Sequence, residues 1–236
     1  MTNQQIIDQI KKVLSRHVDK KYKQGAENVY KDDVRVIGAS LPVQRKIAKD
    51  FYPKIKDLGK DNIFKLADDL FKTNYFEMMT IAVDWVRRQK KNFAKSDFKV
   101  FESWMKKYVN NWAICDDFCN HALAEFIEVH PEFIKNLKTW ARSKNLWLRR
   151  GAAVTFVVPG RQGKFLKDIL EIAGILLQDK EDLVQKGYGW MLKEASKAHP
   201  KEVFDFVMKN KNIMPRTALR YAIEKYPAAK REQAMA

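Results

Sequence analysis

Apolar side chains recur at intervals of three and four residues along most of the chain. This spacing places them on one face of an α-helix, whereas the strict alternation of a half-buried strand is nowhere sustained. With nine glycines and seven prolines in 236 residues, the chain also lacks the frequent turns that an all-β sandwich or barrel needs. The sequence therefore predicts an all-α fold, with clear amphipathic runs at residues 6–14, 64–71, 78–86, 98–108 and 118–127.

Helix boundaries are marked by capping residues and prolines. Starts are predicted at Ser96-Asp97, Pro131, Pro200 and Pro215, because a proline at the first helical position loses no hydrogen bond. Residues 154–158 fit either a short strand or the end of a buried helix. Residues 20–33 fit either an ordered loop or a short helix.

Four predicted helix N-termini, called helix openings below, resemble one another and follow basic segments. They begin at Asn111, Asn145, Asp182 and Asn212, roughly 30 to 37 residues apart. This spacing is typical of two-helix repeats, whose stacked hairpins share one core and form a concave surface. The sequence therefore predicts a helical-repeat solenoid, with residues 1–236 as a single domain and 227–236 as a frayed tail.

The chain is strongly cationic. It has 45 Lys and Arg against 29 Asp and Glu, which gives a formal charge of +16. Such an excess favours a polyanionic partner, either nucleic acid or an anionic membrane face, although lysines also simply solubilise helix ends. The basic segments before the repeated openings would form a track along the concave face, where DNA phosphates could bind. No apolar run is long enough to span a bilayer and the N-terminus does not resemble a signal peptide, so we expect a soluble, cytoplasmic protein.

Motifs for metals, nucleotides and hydrolytic triads are missing. The chain has no phosphate-binding glycine loop, no His-Glu-x-x-His and no Gly-x-Ser-x-Gly. Cys115 and Cys119 have poor zinc spacing and no second pair of ligands, so we expect buried free thiols. We therefore expect neither a metal nor a cofactor.

Aromatic and acidic residues stand at the repeat openings. Trp112 and Asp116 are four residues apart and share a helical face, while Trp190 precedes Lys193 by three residues. A carboxylate can stabilise positive charge that develops at a sugar carbon, and indole faces attract cations. The alternative is structural: Asp116 would favour the helix dipole, and tryptophans at helical spacing are usually core, as we expect for Trp85, Trp104 and Trp140.

Several segments resemble, in order, the motifs of the DNA alkylation repair (AlkD-like) family of HEAT-like-repeat DNA glycosylases. The central one is Asn-Asn-Trp-Ala-Ile-Cys-Asp-Asp-Phe-Cys, at 110–119. The others are Gly-x-x-x-Pro-x-x-Arg at 38–45, Glu77 with Ala-Val-Asp at 82–84, Asn-Leu-Trp-Leu-Arg-Arg at 145–150, and Gln-Lys-Gly-Tyr-Gly-Trp-Met-Leu-Lys-Glu at 185–194. The resemblance implies a HEAT-like-repeat solenoid with a concave basic face.

The resemblance also implies roles for individual residues. The family's catalytic aspartate falls on Asp116, and its lesion-side aromatics fall on Trp112, Trp190 and Tyr30. A family arginine is Lys193 here, which keeps the charge but loses the planar fork that grips phosphates bidentately. The implied DNA phosphate-binding residues are Arg150, Arg149, Lys193 and Arg45.

The implied activity is hydrolysis of the N-glycosidic bond of cationic N3- or N7-alkylated purines in double-stranded DNA, by a monomer that needs no cofactor and no metal. Two alternatives remain open. One is a non-catalytic HEAT-like-repeat protein that binds distorted or branched DNA, and the other is a helical scaffold that binds proteins. Asp116 with the tryptophans favours the enzyme, and a steep loss of DNA affinity with salt would exclude the scaffold.

Overall fold

The computed structural model describes residues 1–30 and 34–236, which divide into two compact units, Met1–Glu125 and Phe126–Ala236. The first unit contains α1 (Asn3–Ser15), α2 (Lys20–Tyr30), α3 (Leu41–Phe51), α4 (Lys60–Lys72), α5 (Phe76–Arg87), α6 (Asp97–Lys107) and α7 (Trp112–Phe118), and it ends within α8 (Ala124–Val129). The second contains α9 (Ile134–Trp140), α10 (Leu146–Val154), α11 (Val157–Arg161), α12 (Leu166–Ile175), α13 (Asp182–Ala195), α14 (Pro200–Asn210), α15 (Arg216–Ile223) and α16 (Ala228–Met235).

The predicted all-α class is confirmed. Among the described residues the backbone forms helices and turns without a β-strand, and the one β-type pairing is an isolated bridge between Arg35 and Tyr75. Residues 154–158 form no strand: Val154 is the buried last residue of α10, as the helix-end alternative predicts, and a turn at Thr155 and Phe156 leads into α11. Residues 20–30 form a helix, while 31–33 lie outside the described part of the chain.

The repeat is more regular in the structure than in the sequence. Helices α3, α5, α7, α10, α13 and α15 begin 34 to 36 residues apart. Within the first unit α5 packs against both α3 and α7, and within the second α13 packs against both α10 and α15. Each unit therefore holds one row of equivalent helices, and the candidate functional residues lie on these rows, except Tyr30, which is the last residue of α2.

Polar contacts follow the same period. The indole of Trp85 donates to the carbonyl of Ala48, 37 residues earlier, and the indole of Trp104 donates to Asp68, 36 residues earlier. In the second unit the ring of His199 lies 3.0 Å from the carbonyl oxygen of Gly163, 36 residues earlier. Such bonds fix neighbouring repeats against one another, because they satisfy polar atoms that the aromatic core would otherwise bury unpaired.

Most of the predicted boundaries are confirmed. Asn111 caps α7 by accepting a hydrogen bond from the amide of Ile114, and Asn145 caps α10 in the same way. The opening predicted at Asn212 is wrong: residues 211–213 form a turn, and α15 begins at Arg216. The reason is Pro215, because the residue before a proline is disfavoured in the helical region.

The burial of the tryptophans and cysteines agrees with the sequence, whereas the C-terminal residues are more ordered than expected. Trp85, Trp104 and Trp140 are buried, as predicted for core tryptophans. Cys115 and Cys119 are buried free thiols, which confirms that expectation too. The residues after Pro227, which we expected to be frayed, form α16, whose Ala234 is buried.

The contact between α13 and α15 predicts a large effect for a single methyl group. A Cβ at Gly189 would lie 2.7 Å from Cβ of Tyr221 and 2.8 Å from the carbonyl oxygen of Ala218. Because a backbone oxygen has to move, we expect Gly189→Ala to destabilise the fold by about 1–3 kcal/mol or more. Urea unfolding measures this free energy.

Gly174, in α12, provides the matched control. A Cβ at that position meets no atom within 4 Å. We expect Gly174→Ala to be neutral or to stabilise by about 0.5–1 kcal/mol, because alanine favours a helix more than glycine does. Equal effects of the two substitutions would contradict the close approach of α13 to α15.

Candidate functional site

Three aromatic rings from different helices meet in the first unit. Tyr30 ends α2, Phe76 begins α5 and Trp112 begins α7. The centroid of the Tyr30 ring lies 4.8 Å from that of Phe76 and 6.1 Å from that of Trp112, the second pair edge to face. Trp112 nevertheless keeps 37% of its surface exposed, unlike the core tryptophans. The structure thus brings two of the predicted lesion-side residues together and adds Phe76, which the sequence analysis missed.

Tyr30 is a neutral phenol at physiological pH. Burial, together with the neighbouring Tyr22, Glu77 and Asp117, raises the pKa of its hydroxyl to about 12. The aromatic cluster therefore offers an apolar surface whose only ionisable hydroxyl stays uncharged. Such a surface suits stacking against a sugar or a base.

The loop that precedes α3 is held by a buried carboxylate. Glu77, in the first turn of α5, accepts hydrogen bonds from the amides of Ile37 (3.0 Å), Gly38 (2.7 Å) and Ala39 (3.3 Å). Gly38 has φ of +112°, a backbone conformation in which a side chain is strained. Glu77 is completely buried. These bonds explain the glycine and the glutamate of the sequence motifs: together they fix the loop close to Phe76.

Asp116 lies one turn after Trp112 on α7, and its side chain is half-buried. The i, i+4 spacing puts both side chains on one face of a helix. The α-helix ends at Phe118 and continues as a π-helix at Cys119–Leu123, a rare geometry that is frequent at functional sites. The carboxylate is thus partly accessible, on a short helix whose start is fixed by the Asn111 cap.

Asp117 faces a different neighbour. Its Oδ1 lies 3.1 Å from Nδ1 of His121 in the π-helix, and its Oδ2 is buried with no hydrogen-bond partner among the described residues. The side-chain hydrogen bond to Asp117 raises the pKa of His121. Burial acts in the opposite direction, but its effect is smaller, so the pKa is raised overall. Two adjacent aspartates therefore have separate surroundings, which the sequence alone did not distinguish.

The His121–Asp117 pair predicts a pH-dependent contribution to stability. Because the folded-state pKa of His121 is raised above its ordinary 6.5, this contribution is complete below about pH 6.5 and is lost as the pH rises through the folded-state pKa. We expect the difference in melting temperature between wild type and His121→Gln to be largest in mildly acidic buffer. Thermal unfolding across a pH series tests this, and a difference that grows with pH contradicts it.

In the second unit the predicted residues lie on α10 and α13. Trp190 is half-buried on α13, and Lys193 follows it by almost one turn. The ammonium of Lys193 lies 2.9 Å from Glu224 and 5.6 Å from the centroid of the Tyr221 ring. Lys193 is therefore already paired within its own unit.

The two adjacent arginines of α10 are also engaged. Arg149 pairs with Asp179 at 2.6 Å and donates to the carbonyls of Ser143 and Lys144. Arg150 is only 5% exposed and donates to the carbonyl of Leu183. Phosphate binding by either arginine thus remains a prediction, and it requires the guanidinium to exchange or share these acceptors.

Arg45 differs from these three residues. It lies exposed on α3 and has no ion pair among the described residues. It lines a pocket of about 380 Å³ whose other basic side chains are Lys49, Arg87 and Arg88. Of these four residues only Arg45 was expected from the sequence. Lys49 lies one turn further along α3, outside the family motif, and the fold brings Arg87 and Arg88 to the same pocket from the end of α5.

Other classes of site find little support. Within the described ranges no group of three His, Cys, Asp or Glu side chains is arranged to hold a metal ion. The same residues include no helix that is both long enough and apolar enough to cross a bilayer.

The fold and these residues together define an all-α protein with an exposed aromatic and carboxylate site. The family model described as "DNA alkylation repair enzyme" matches residues 10–226. The chain therefore belongs to the DNA alkylation repair enzyme family. Among curated proteins, none matches the sequence.

Two solved structures show the same fold. A predicted DNA alkylation repair enzyme from Enterococcus faecalis is 15% identical and superposes with a TM-score of 0.79, covering 90% of this chain and 97% of its own. AlkD2 from Streptococcus mutans is 19% identical with a TM-score of 0.62, covering 96% of this chain and 100% of its own. At these identities the likeness shows the fold alone.

Proposed function

We propose that the protein is a DNA glycosylase that hydrolyses the N-glycosidic bond of cationic N3- and N7-alkylated purines in double-stranded DNA. Family membership supports a role in DNA repair. The observation that carries the finer proposal is the position of Trp112 and Asp116, four residues apart on α7, with Tyr30 packed against the same indole. An exposed tryptophan beside a partly accessible carboxylate is what a cationic sugar requires.

The reaction follows from the charge of the substrate. Alkylation at N3 or N7 makes the purine cationic, so that it leaves as a neutral base when it takes the electron pair of the glycosidic bond. The deoxyribose carbon left behind gains oxocarbenium character. The Asp116 carboxylate stabilises this cation and orients a water molecule, whose oxygen bonds to the sugar carbon. The proton released by the water passes to the carboxylate and then to solvent.

The aromatic residues position the substrate. Trp112 and Tyr30 pack against the lesion sugar and backbone, and the indole face favours the developing positive charge. The sugar is gripped without the base entering a deep pocket, which differs from most glycosylases. Discrimination then comes largely from the lability of the alkylated base. For Trp190 and for the phosphate-binding roles of Arg149, Arg150 and Lys193, the family resemblance remains the basis of the prediction.

The direct test is product analysis. We expect the protein to release free methylated purines from methylated duplex DNA, which chromatography of the small-molecule fraction detects, and to leave the DNA strand uncut before alkaline treatment. Binding of the duplex without release of bases would favour the alternative, a non-catalytic HEAT-like-repeat protein that binds distorted or branched DNA. A protein that does not bind the duplex and does not release bases would contradict both proposals.

A further inference from the structure

The pocket lined by Arg45 has features that the proposed chemistry does not use. It opens between α3, α5 and α7, and its volume is about 380 Å³. Its cationic side chains are Arg45, Lys49, Arg87 and Arg88, and its acidic ones are Asp84 and Asp117. The net charge of the lining is therefore positive even when His121, which also lines it, is neutral.

The four basic side chains fall into two kinds. Arg88 pairs with Asp84 at 2.6 Å and Arg87 pairs with Glu125 at 2.8 Å, which fixes both guanidinium groups at the end of α5. Arg45 and Lys49 are four residues apart on α3 and make no ion pair within the described residues. One wall thus presents oriented guanidinium groups, and the other presents cations whose hydrogen bonds remain to be made.

A buried hydroxyl group gives independent evidence for a ligand. Thr80 lines the same pocket from α5 and is only 6% exposed. Its Oγ1 is buried and has no hydrogen-bond partner among the described residues. Leaving a buried polar atom without a partner costs free energy, and a bound group that accepts a hydrogen bond from the hydroxyl would remove that cost.

The surface continues beyond this pocket. A second pocket of about 280 Å³ shares Asp84, Arg87 and Arg88 with the first and adds Lys90 and Lys91. Lys91 has no ion pair in the described part of the chain. The cationic surface therefore extends from α3 past the end of α5, as a run of phosphates along one strand requires.

We propose that the pocket formed by Arg45, Lys49, Arg87, Arg88 and Thr80 binds a phosphate group of the DNA backbone. Arg45 and Lys49 donate charge-assisted hydrogen bonds to the phosphate oxygens, and the Thr80 hydroxyl donates a third. The carboxylate of Asp117 opposes an anion, but its pairing with His121 at 3.1 Å reduces that effect. This inference rests on the proposed function for its ligand, duplex DNA, and it assigns phosphate binding to four residues outside the family motifs: Lys49, Thr80, Arg87 and Arg88.

The first test measures the affinity for unmodified duplex DNA by fluorescence anisotropy over a series of salt concentrations. We expect Lys49→Gln to weaken binding roughly tenfold and to reduce the slope of log affinity against log salt by about 1, because one phosphate contact is lost. Lys46→Gln is the matched control, since Lys46 is exposed on the same helix, outside the pocket, and pairs with Asp50. Equal slopes for the two variants overturn the proposal.

The second test separates binding from folding. Thr80→Val keeps the shape of the side chain and removes the unpaired hydroxyl group, so we expect an unchanged or higher melting temperature together with a several-fold loss of DNA affinity. A lower melting temperature with unchanged affinity shows that the hydroxyl is structural and overturns its assigned role.

Titration with inorganic phosphate identifies the source of the ligand. Calorimetric binding of phosphate that disappears in Lys49→Gln, with DNA affinity unchanged in that variant, overturns DNA as the ligand. None of these measurements uses alkylated DNA. A wild-type protein that binds DNA through Lys49 and releases no base therefore contradicts the proposed function and leaves this inference standing.

Discussion

Replacing Asp116 with asparagine is expected to abolish the release of alkylated purines while DNA affinity stays within a few-fold of wild type. Asparagine preserves the size of the side chain and its place on α7 but removes the negative charge. The charge acts only on the cation that forms as the glycosidic bond breaks, so the loss falls on the chemical step. Removing one such electrostatic contact from an active site typically costs about 10²–10³ in rate, and we expect at least this loss.

The neighbouring carboxylate provides the matched control. Asp117 lies on the same short helix and is also half-buried, but its Oδ1 is paired with His121. We expect Asp117→Asn to release bases at a rate within several-fold of wild type. Single-turnover assays with protein in excess over methylated duplex isolate the chemical step from product release. Full activity of Asp116→Asn, or loss of activity only in Asp117→Asn, would show that the catalytic assignment is wrong.

Local patterns in the sequence predicted the helices well, because capping and amphipathic spacing act within a few residues. Asn111 and Asn145 cap the helices that were expected to begin there. The opening near Asn212 was placed wrongly because the basic segment before it suggested a repeat, whereas Pro215 determines where the helix can begin. The order of α16 depends on tertiary contacts, such as the hydrogen bond from Lys211 to the carbonyl of Gln233, which composition does not reveal.

The sequence predicted the site only where its residues lie within one short motif on a single helix. The placement of Trp112 and Asp116 on one helical face follows from their spacing, but the contact between Trp112 and Tyr30 joins parts of the chain that are separated by four α-helices, α3 to α6. The number of basic residues in the sequence also does not show which of them are accessible and which are already paired with a carboxylate. The sequence predicts Arg149 as a phosphate ligand, but in the structure its guanidinium donates a hydrogen bond to Asp179, 30 residues later in the chain.

Glu77→Ala is expected to give the largest loss of stability among the substitutions proposed for the first unit. The carboxylate of Glu77 is fully buried and accepts hydrogen bonds from three consecutive backbone amides. Alanine leaves these amides without acceptors, and each unsatisfied buried amide costs about 1–3 kcal/mol. We therefore expect a loss of roughly 3 kcal/mol or more in the free energy of unfolding, measured by urea denaturation.

Two further variants separate the causes of this loss. Glu77→Gln keeps one oxygen acceptor and the shape of the side chain, so we expect an intermediate loss. Glu27→Ala removes an exposed glutamate that lies 3.8 Å from Lys23, and we expect a change within about 0.5 kcal/mol. Because the loop held by Glu77 lies between Tyr30 and α3, Glu77→Gln should also slow base release more than Glu27→Ala does. A change below about 1 kcal/mol in Glu77→Ala would mean that these amides find other acceptors, and that the loop does not depend on the glutamate.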